Sequence, residues 1–244
     1  MLQGIEFTAQ GMTAMSAKQD QISNNLANIN TTGYKRSGMF LRAYSRFVKN
    51  DQMEPFVNRE IKADEVYTDF SEGPAKKTGG KLNMMIEGSG FFTVMTPYGT
   101  RYTRDGAFSL DSNGYLITTD GSKVMGKEGF IQLEDAKGVN ITGSGEVTQD
   151  GDTQGELLIA DFRKPYKLLR EKNGYFKPEI RNNPVVESPG YKIRQGFLEK
   201  SNVNPIKGMS EMISSYRNYE AQAKAMRAQD ETLDKSVNSV GRLQ

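Results

Sequence analysis

The sequence contains no cysteine and no histidine. The first absence removes disulfides, thiolate metal ligands and thiol nucleophiles. The second removes Ser-His and Cys-His catalytic pairs and histidine-based zinc sites, which leaves carboxylates, lysine and tyrosine as the side chains available for catalysis. A dominant sign of charge is missing too: 32 lysines and arginines face 30 acidic residues, a formal net charge of +2, so nucleic acid is not an expected partner. Long hydrophobic runs are also lacking. No stretch approaches the roughly 18 apolar residues of a membrane span, and Met1-Leu2-Gln3-Gly4-Ile5-Glu6 lacks the basic-then-apolar pattern of a cleaved export signal. The expectation is a protein that is not an enzyme, takes no cofactor, metal or small-molecule substrate, and does not insert into a membrane. What is present is a chain of 244 residues, 36% apolar, long enough for one large domain or two smaller ones.

The first thirty residues carry a seven-residue repeat. Ile5, Met12, Gln19 and Leu26 form one track, and Thr8, Met15, Ile22 and Ile29 the other. Both fall on one narrow helix seam of the kind by which helices pair, with Gly4 and Gly11 as weak points. Asn28, Asn30, Thr31, Thr32 and Gly33 end the helix. The last forty residues repeat the pattern: Met209, Tyr216, Ala223, Asp230 and Val237 alternate with Met212, Tyr219, Met226, Leu233 and Val240. Asn204-Pro205 supplies an N-cap followed by a proline at the first helical position. A helix from Pro205 to Val240 is roughly 54 Å long at about 1.5 Å per residue.

Between about Lys81 and Asn202, short apolar runs are cut by glycine or Asn-Gly, which reads as β structure. Asn113-Gly114 and Asp150-Gly151 are hairpin turn sequences. Residues 35–80 are polar, mixed in charge and weakly periodic, and read as an extended connector. The expected fold is therefore α+β: long terminal helices (1–34 and 203–244) forming a coiled-coil-like antiparallel pair, with a mainly antiparallel β domain (81–202) inserted between them. A β domain of that size cannot cover helices of that length, so the remaining helix faces are left for other copies of the chain.

Several local sequences resemble one known family. Asn24-Asn25-Leu26-Ala27-Asn28 followed by Thr32-Gly33-Tyr34-Lys35 resembles the N-terminal signature of the flagellar rod and hook proteins. The likeness continues in Gly88-Ser89-Gly90-Phe91-Phe92-Thr93-Val94, Tyr102-Thr103-Arg104-Asp105-Gly106-Ala107-Phe108, Asn113-Gly114-Tyr115-Leu116, Ser201-Asn202-Val203-Asn204 and Arg217-Asn218-Tyr219-Glu220. The resemblance implies a structural subunit of the flagellar basal-body rod. In it the paired helices form the inner tube, the β domain lies outside, and copies assemble with themselves and with adjacent rod proteins. It also implies export through the flagellar type III apparatus to the periplasmic rod without a cleaved signal. Gln222, Lys224, Asp230-Glu231, the closing 236–243 segment and the short connector resemble proximal rod subunits more than distal ones.

On this reading Ile5, Met12, Met15, Ile22, Leu26, Ile29, Met209, Met212, Tyr216, Tyr219, Met226, Leu233, Val237 and Val240 are the assembly seams. Asn24, Asn25, Asn28 and Gly33 are the family motif, with Asn24 and Asn28 as hydrogen-bond partners between subunits. Arg104-Asp105 reads as a solvated turn with a local ion pair. Asp150, Asp152, Gln154 and Asp161 approach the spacing of a calcium loop, but strand-like sequence flanks them where helices are needed. The alternatives are a distal rod or hook subunit, a carboxylate-based hydrolase of cell-wall glycan, and a coiled-coil adhesin with a β ligand-binding head.

Overall fold

A computed structural model describes residues 2–48, 56–179, 185–186 and 190–240. The chain runs from a first helix, α1 (Leu2–Ala27), through a set of strands to a second, α2 (Pro205–Val240). Asn204 caps α2 as its sequence suggests: its side-chain oxygen accepts the Lys207 backbone N–H at 3.1 Å. α1 stops at Ala27, so Asn28 and Ile29 lie in the turn that follows and not on the helix seam. There the Thr31 hydroxyl and N–H both bond back to Asn28, which gives the freed backbone a local alternative to the helix.

Two compact units divide the chain: residues 1–27, 37–69 and 203–244 form one, and residues 28–36 and 70–202 the other. In the first, α1 and α2 pack against each other. A Cβ placed on Gly11 would lie 3.0 Å from Gln222, and one on Gly208 would lie 2.8 Å from Leu26. Numbers fall along one helix as they rise along the other, so the two are antiparallel. Residues 37–68, within the stretch read as a connector, form a two-stranded antiparallel ribbon of β1 (Ser37–Val48) and β2 (Phe56–Thr68), both touching α1. Its pairing runs from Ser37 opposite Thr68 to Val48 opposite Phe56, with a register shift between Met39 and Leu41. Charged and apolar residues mix along both strands, so the period-2 signal that marks a half-buried strand is weak in the sequence.

Among the described residues, the strand pairs of the second unit are all antiparallel. Strands β3 (Ala75–Lys77) and β4 (Met84–Gly88) pair with Phe197–Glu199 and Tyr191–Gln195 respectively. Strand β5 (Phe91–Thr96) is the centre of the largest sheet, flanked by β6 (Gly99–Thr103) and by Lys123–Val124, with Ile159–Phe162 pairing at its start. Alternation along β5 explains two cores. Phe92 and Val94 enter the main cluster with Met84, Ile86, Leu116, Ile131 and Leu157, while Phe91 joins Phe162, Leu168 and Phe176 in an aromatic cluster. Asp150 and Gly151 form the turn between Glu146–Gln149 and Asp152–Glu156, both with positive φ (51° and 102°), as a two-residue hairpin of this hand requires.

Candidate functional site: a buried junction and an open helix face

The motifs that look unrelated along the chain meet at one point of the β unit. Lys35, eight residues past the end of α1, is fully buried, as is Glu199, six residues before α2 begins. The Lys35 ammonium donates to Glu199 Oε1 at 2.5 Å and to the Ser71 carbonyl at 2.8 Å. The same carboxylate oxygen accepts the Gly73 N–H at 2.8 Å. Arg104, also buried, places Nη1 3.6 Å from Glu199 Oε2, too long for a hydrogen bond. It gives its donors instead to the carbonyls of Ile86 (3.0 Å) and Gly88 (2.6 Å) and lies over the Phe91 ring. Arg104 is therefore not part of a solvated turn. Its sequence neighbour Asp105 turns the other way and accepts the Thr32 hydroxyl at 2.7 Å and the Ala107 N–H at 3.0 Å.

The backbone explains why glycine occupies two of these positions. Gly33 has φ +65°, and a Cβ there would sit 2.4 Å from the Asp105 nitrogen; at Gly106 a Cβ would be 1.8 Å from the Met84 carbonyl oxygen. A single amide then ties the outgoing and returning segments together. Asn202 accepts the Arg36 N–H at 2.6 Å and donates to the Ser71 carbonyl and hydroxyl, both at 3.1 Å. Arg170 stacks 4.5 Å above the Tyr34 ring and donates to the Lys35 carbonyl.

Two cations sharing one carboxylate in a dry site have electrostatic consequences. Burial depresses the Lys35 pKa below the ordinary lysine value, opposed by the charge and hydrogen bond of Glu199. Burial raises Asp105, partly offset by the Thr32 and Ala107 hydrogen bonds. Next to it, Asp105 and Asp120 line a polar cleft of about 260 Å³ with Thr103, Thr118, Thr119, Asn173 and Tyr175. The Asp120 oxygens accept from the hydroxyls of Thr118, Ser122 and Tyr175. Burial pushes the Asp120 carboxyl up, and the hydrogen bonds from Thr118, Tyr175 and Asn173 outweigh it, leaving the carboxyl below its usual value. Both carboxylates thus organise the turns around them.

The helix seams are placed as follows. On α1, Ile22 is buried, and Ile5, Met12, Met15 and Leu26 are partly covered. On α2, Met212, Tyr219, Met226 and Leu233 are partly covered, while Met209 (58% exposed) and Tyr216 (52%) face away within the chain. The second covered track of α2 is instead Ser215, Gln222 and Gln229, whose side-chain oxygens are buried without a hydrogen-bond partner, as is that of Gln21. The side chains of Val237 and Val240 lie outside the described residues. Of the motif amides, Asn24 is exposed. Asn25 is buried and clips the start of β1: it donates to the Ser37 carbonyl at 2.8 Å and accepts the Ser37 N–H at 3.0 Å. Sequence reading alone did not single out Glu199, Asn202 or Ser71 as partners of Lys35 and Arg36, since no periodic signal links positions 164 residues apart.

The segment leaving α1 and the one entering α2 thus meet at one junction, and α2 keeps an uncovered apolar face. Three family models match the chain in order along its length. These are the flagella basal body rod protein (residues 5–35), the flagellar hook protein FlgE/F/G D1 domain (85–149) and the flagellar basal body rod FlgEFG protein C-terminal region (194–239). Over nearly the whole of both chains it is similar to the flagellar basal-body rod protein FlgG of Borreliella burgdorferi, with 32% identity over 96% of this chain and 97% of the relative. It is likewise similar to the FlgF of Mesorhizobium japonicum (30%; 93% and 93%) and the FlgG of Bacillus subtilis (31%; 98% and 99%). The chain belongs to the flagellar basal-body rod protein family.

Proposed function

We propose that this chain is a structural subunit of the rod, whose copies polymerise with each other and with adjacent rod proteins through the terminal helices into a tubular shaft that transmits torque. The observation that carries the proposal is the state of α2. Pairing with α1 covers one face, yet Ile206, Met209, Ile213 and Tyr216 stay more than half exposed, an apolar stripe of the kind that marks an association surface. The seven-residue spacing of Met212, Tyr219, Met226 and Leu233 supports reading the helix pair as coiled-coil-like. Residues 1–34 and 203–244 then build the tube wall and 81–202 its outer decoration, in the periplasmic part of the basal body. The subunit reaches that position through the flagellar type III export apparatus without a cleaved signal. A proximal, FlgF-like place is favoured by Gln222, Lys224, Asp230-Glu231 and the short stretch between α1 and the β unit.

Leu26→Asp places a charge against Gly208 in the helix pair. The expected outcome is loss of motility and of complete basal bodies, with the β unit still folded in the purified protein. Motile, normally flagellated cells carrying this variant would overturn the proposal.

A further inference from the structure

Polymer growth through heterologous contacts needs two different complementary faces on each subunit, because a face that pairs with its own copy closes a dimer and stops. The exposed large apolar residues supply two such faces. Among the described residues, those of the helical unit fall into two groups, Ile206, Met209, Ile213 and Tyr216 on α2, and Phe40 and Tyr67 at the base of the β1–β2 ribbon, with Val66 on the ribbon's other face. The other three, Tyr98, Phe130 and Leu169, are scattered singly over the β unit.

The ribbon group is built to stay outward and flat. Tyr67 lies opposite Gly38 in the register, and its ring occupies the space a Gly38 side chain would take, with ring atoms within 2.5 Å of where a Cβ would stand. Phe40 stacks on the far part of the same patch, its ring centroid 4.7 Å from that of Tyr67 and 28° from parallel. The α2 group has the 3-4-3 spacing of a seam but is short. It spans about 15 Å at 1.5 Å per residue. The same track then continues as Glu220, Ala223, Arg227 and Asp230. A full-length helix laid along α2 would meet charge over most of its length; a compact aromatic patch would not.

Resting on the rod reading, we infer that the Ile206–Tyr216 stripe of one copy seats on the Phe40–Tyr67 patch of the next copy, as the apolar centre of a repeating contact. Stripe-to-stripe pairing would instead use up the α2 face and leave the aromatic patch exposed.

The natural absence of cysteine makes the contact directly testable with full-length protein assembled in cells and recovered in purified basal bodies. Phe40→Cys and Ile213→Cys are introduced singly and together and exposed to mild oxidant, since a disulfide forms only where the two Cα atoms approach within about 7 Å. The inference expects a ladder of cross-linked chains from the double variant, a single cross-linked dimer band from cells expressing the two single variants together, and none from either alone. Dimers from Ile213→Cys alone mean that the stripe pairs with itself, which overturns the inference and leaves the rod reading standing. Incorporation of the double variant without any ladder overturns it in the same way. A chain absent from basal bodies even as wild type sinks the rod reading, and this contact with it.

Discussion

The two units of this protein bury very different things. Among the described residues, every buried apolar residue except Ala14, Ile22 and Val203 belongs to the β unit, whereas seven of the ten exposed large apolar side chains belong to the helical unit. Polar atoms follow the same division. Among the described residues of the β unit the buried side-chain atoms without a hydrogen bond, Thr93 apart, sit on Arg104, Arg170 and Glu199, each of which makes a hydrogen bond through another atom. In the helical unit they are Ser215, Gln21, Gln222 and Gln229, with none of their side-chain hydrogen bonds in place of the missing ones. One unit is complete within a single chain. The other keeps apolar surface exposed and holds buried side-chain oxygens without a partner, and an unpaired buried polar atom costs stability.

The largest way to break the contrast is to attack the junction that completes the β unit. Glu199→Gln leaves the Lys35 ammonium buried without its counter-charge, and removing one partner of a buried pair costs about 3–5 kcal/mol. Thermal or denaturant unfolding of the β unit checks this, and a midpoint equal to wild type would refute it. Lys35→Met combined with Glu199→Gln removes the Lys35–Glu199 pair and recovers the part of the loss due to the stranded ammonium, leaving Arg104 as the buried cation without its counter-charge. The sign of the pH dependence is determined by the depressed lysine. Because burial lowers the Lys35 pKa in the folded state below its unfolded value of 10.5, the unfolded chain holds that proton more tightly, and stability rises as pH climbs toward 10.5. Without Glu199 to oppose burial, the alkaline recovery should be larger in Glu199→Gln than in wild type.

A smaller effect sharpens the other side of the comparison. Gln222 lies against Gly11 with its amide oxygen buried and unpartnered. Gln222→Leu removes that cost, on the order of 1–3 kcal/mol, so the isolated chain should gain helical circular dichroism while the β unit melts as before. Unchanged or reduced helicity would mean that Gln222 is not inside the helix pair. If amides of this track serve contacts between copies, the same variant that stabilises the free subunit should assemble less well. Trimming offers a companion measurement. A chain cut to residues 28–202 keeps the Lys35–Glu199 pair and should retain the β unit's cooperative transition, whereas one starting at residue 36 should lose it.

How much of this was legible beforehand follows from the range of each interaction. Pro205 to Val240 was readable because cap, proline and heptads are local, and β5 because a buried strand is a local apolar run. On α2 the sequence pointed to Met209 and Tyr216 as seam residues because they are apolar; within the chain, Ser215, Gln222 and Gln229 hold that track, one residue away. Polarity did not distinguish the face of α2 that packs on α1 from the one left exposed, because apolar residues stand on both. The ribbon was illegible for a related reason: charged and apolar residues mix along both strands, so the alternation of a half-buried strand is weak. The junction was visible only as separate motifs. Nothing local announces that Lys35 ends on Glu199 or that Asn202 bonds Arg36.

The smallest effect concerns a hydroxyl at the edge of the β unit, where completeness can be measured with one atom. Tyr175 is buried, its hydroxyl bonded to Asp120 and 3.0 Å from the Thr118 hydroxyl, and burial together with the Asp120 carboxylate raises its pKa to about 12. A phenol whose folded pKa lies above its unfolded value of 10.0 contributes stability that is fully present below pH 10 and is lost as pH rises toward 12. Tyr175→Phe should therefore lower stability by about 1 kcal/mol near neutrality, where the hydrogen bonds are lost and nothing else changes. Above pH 10 the wild-type chain alone pays to keep the phenol protonated, at roughly 1.4 kcal/mol per pH unit, so the two curves should converge and then cross. Parallel curves through that window would mean the hydroxyl meets water in the folded chain, and the β unit would be less closed than its core implies.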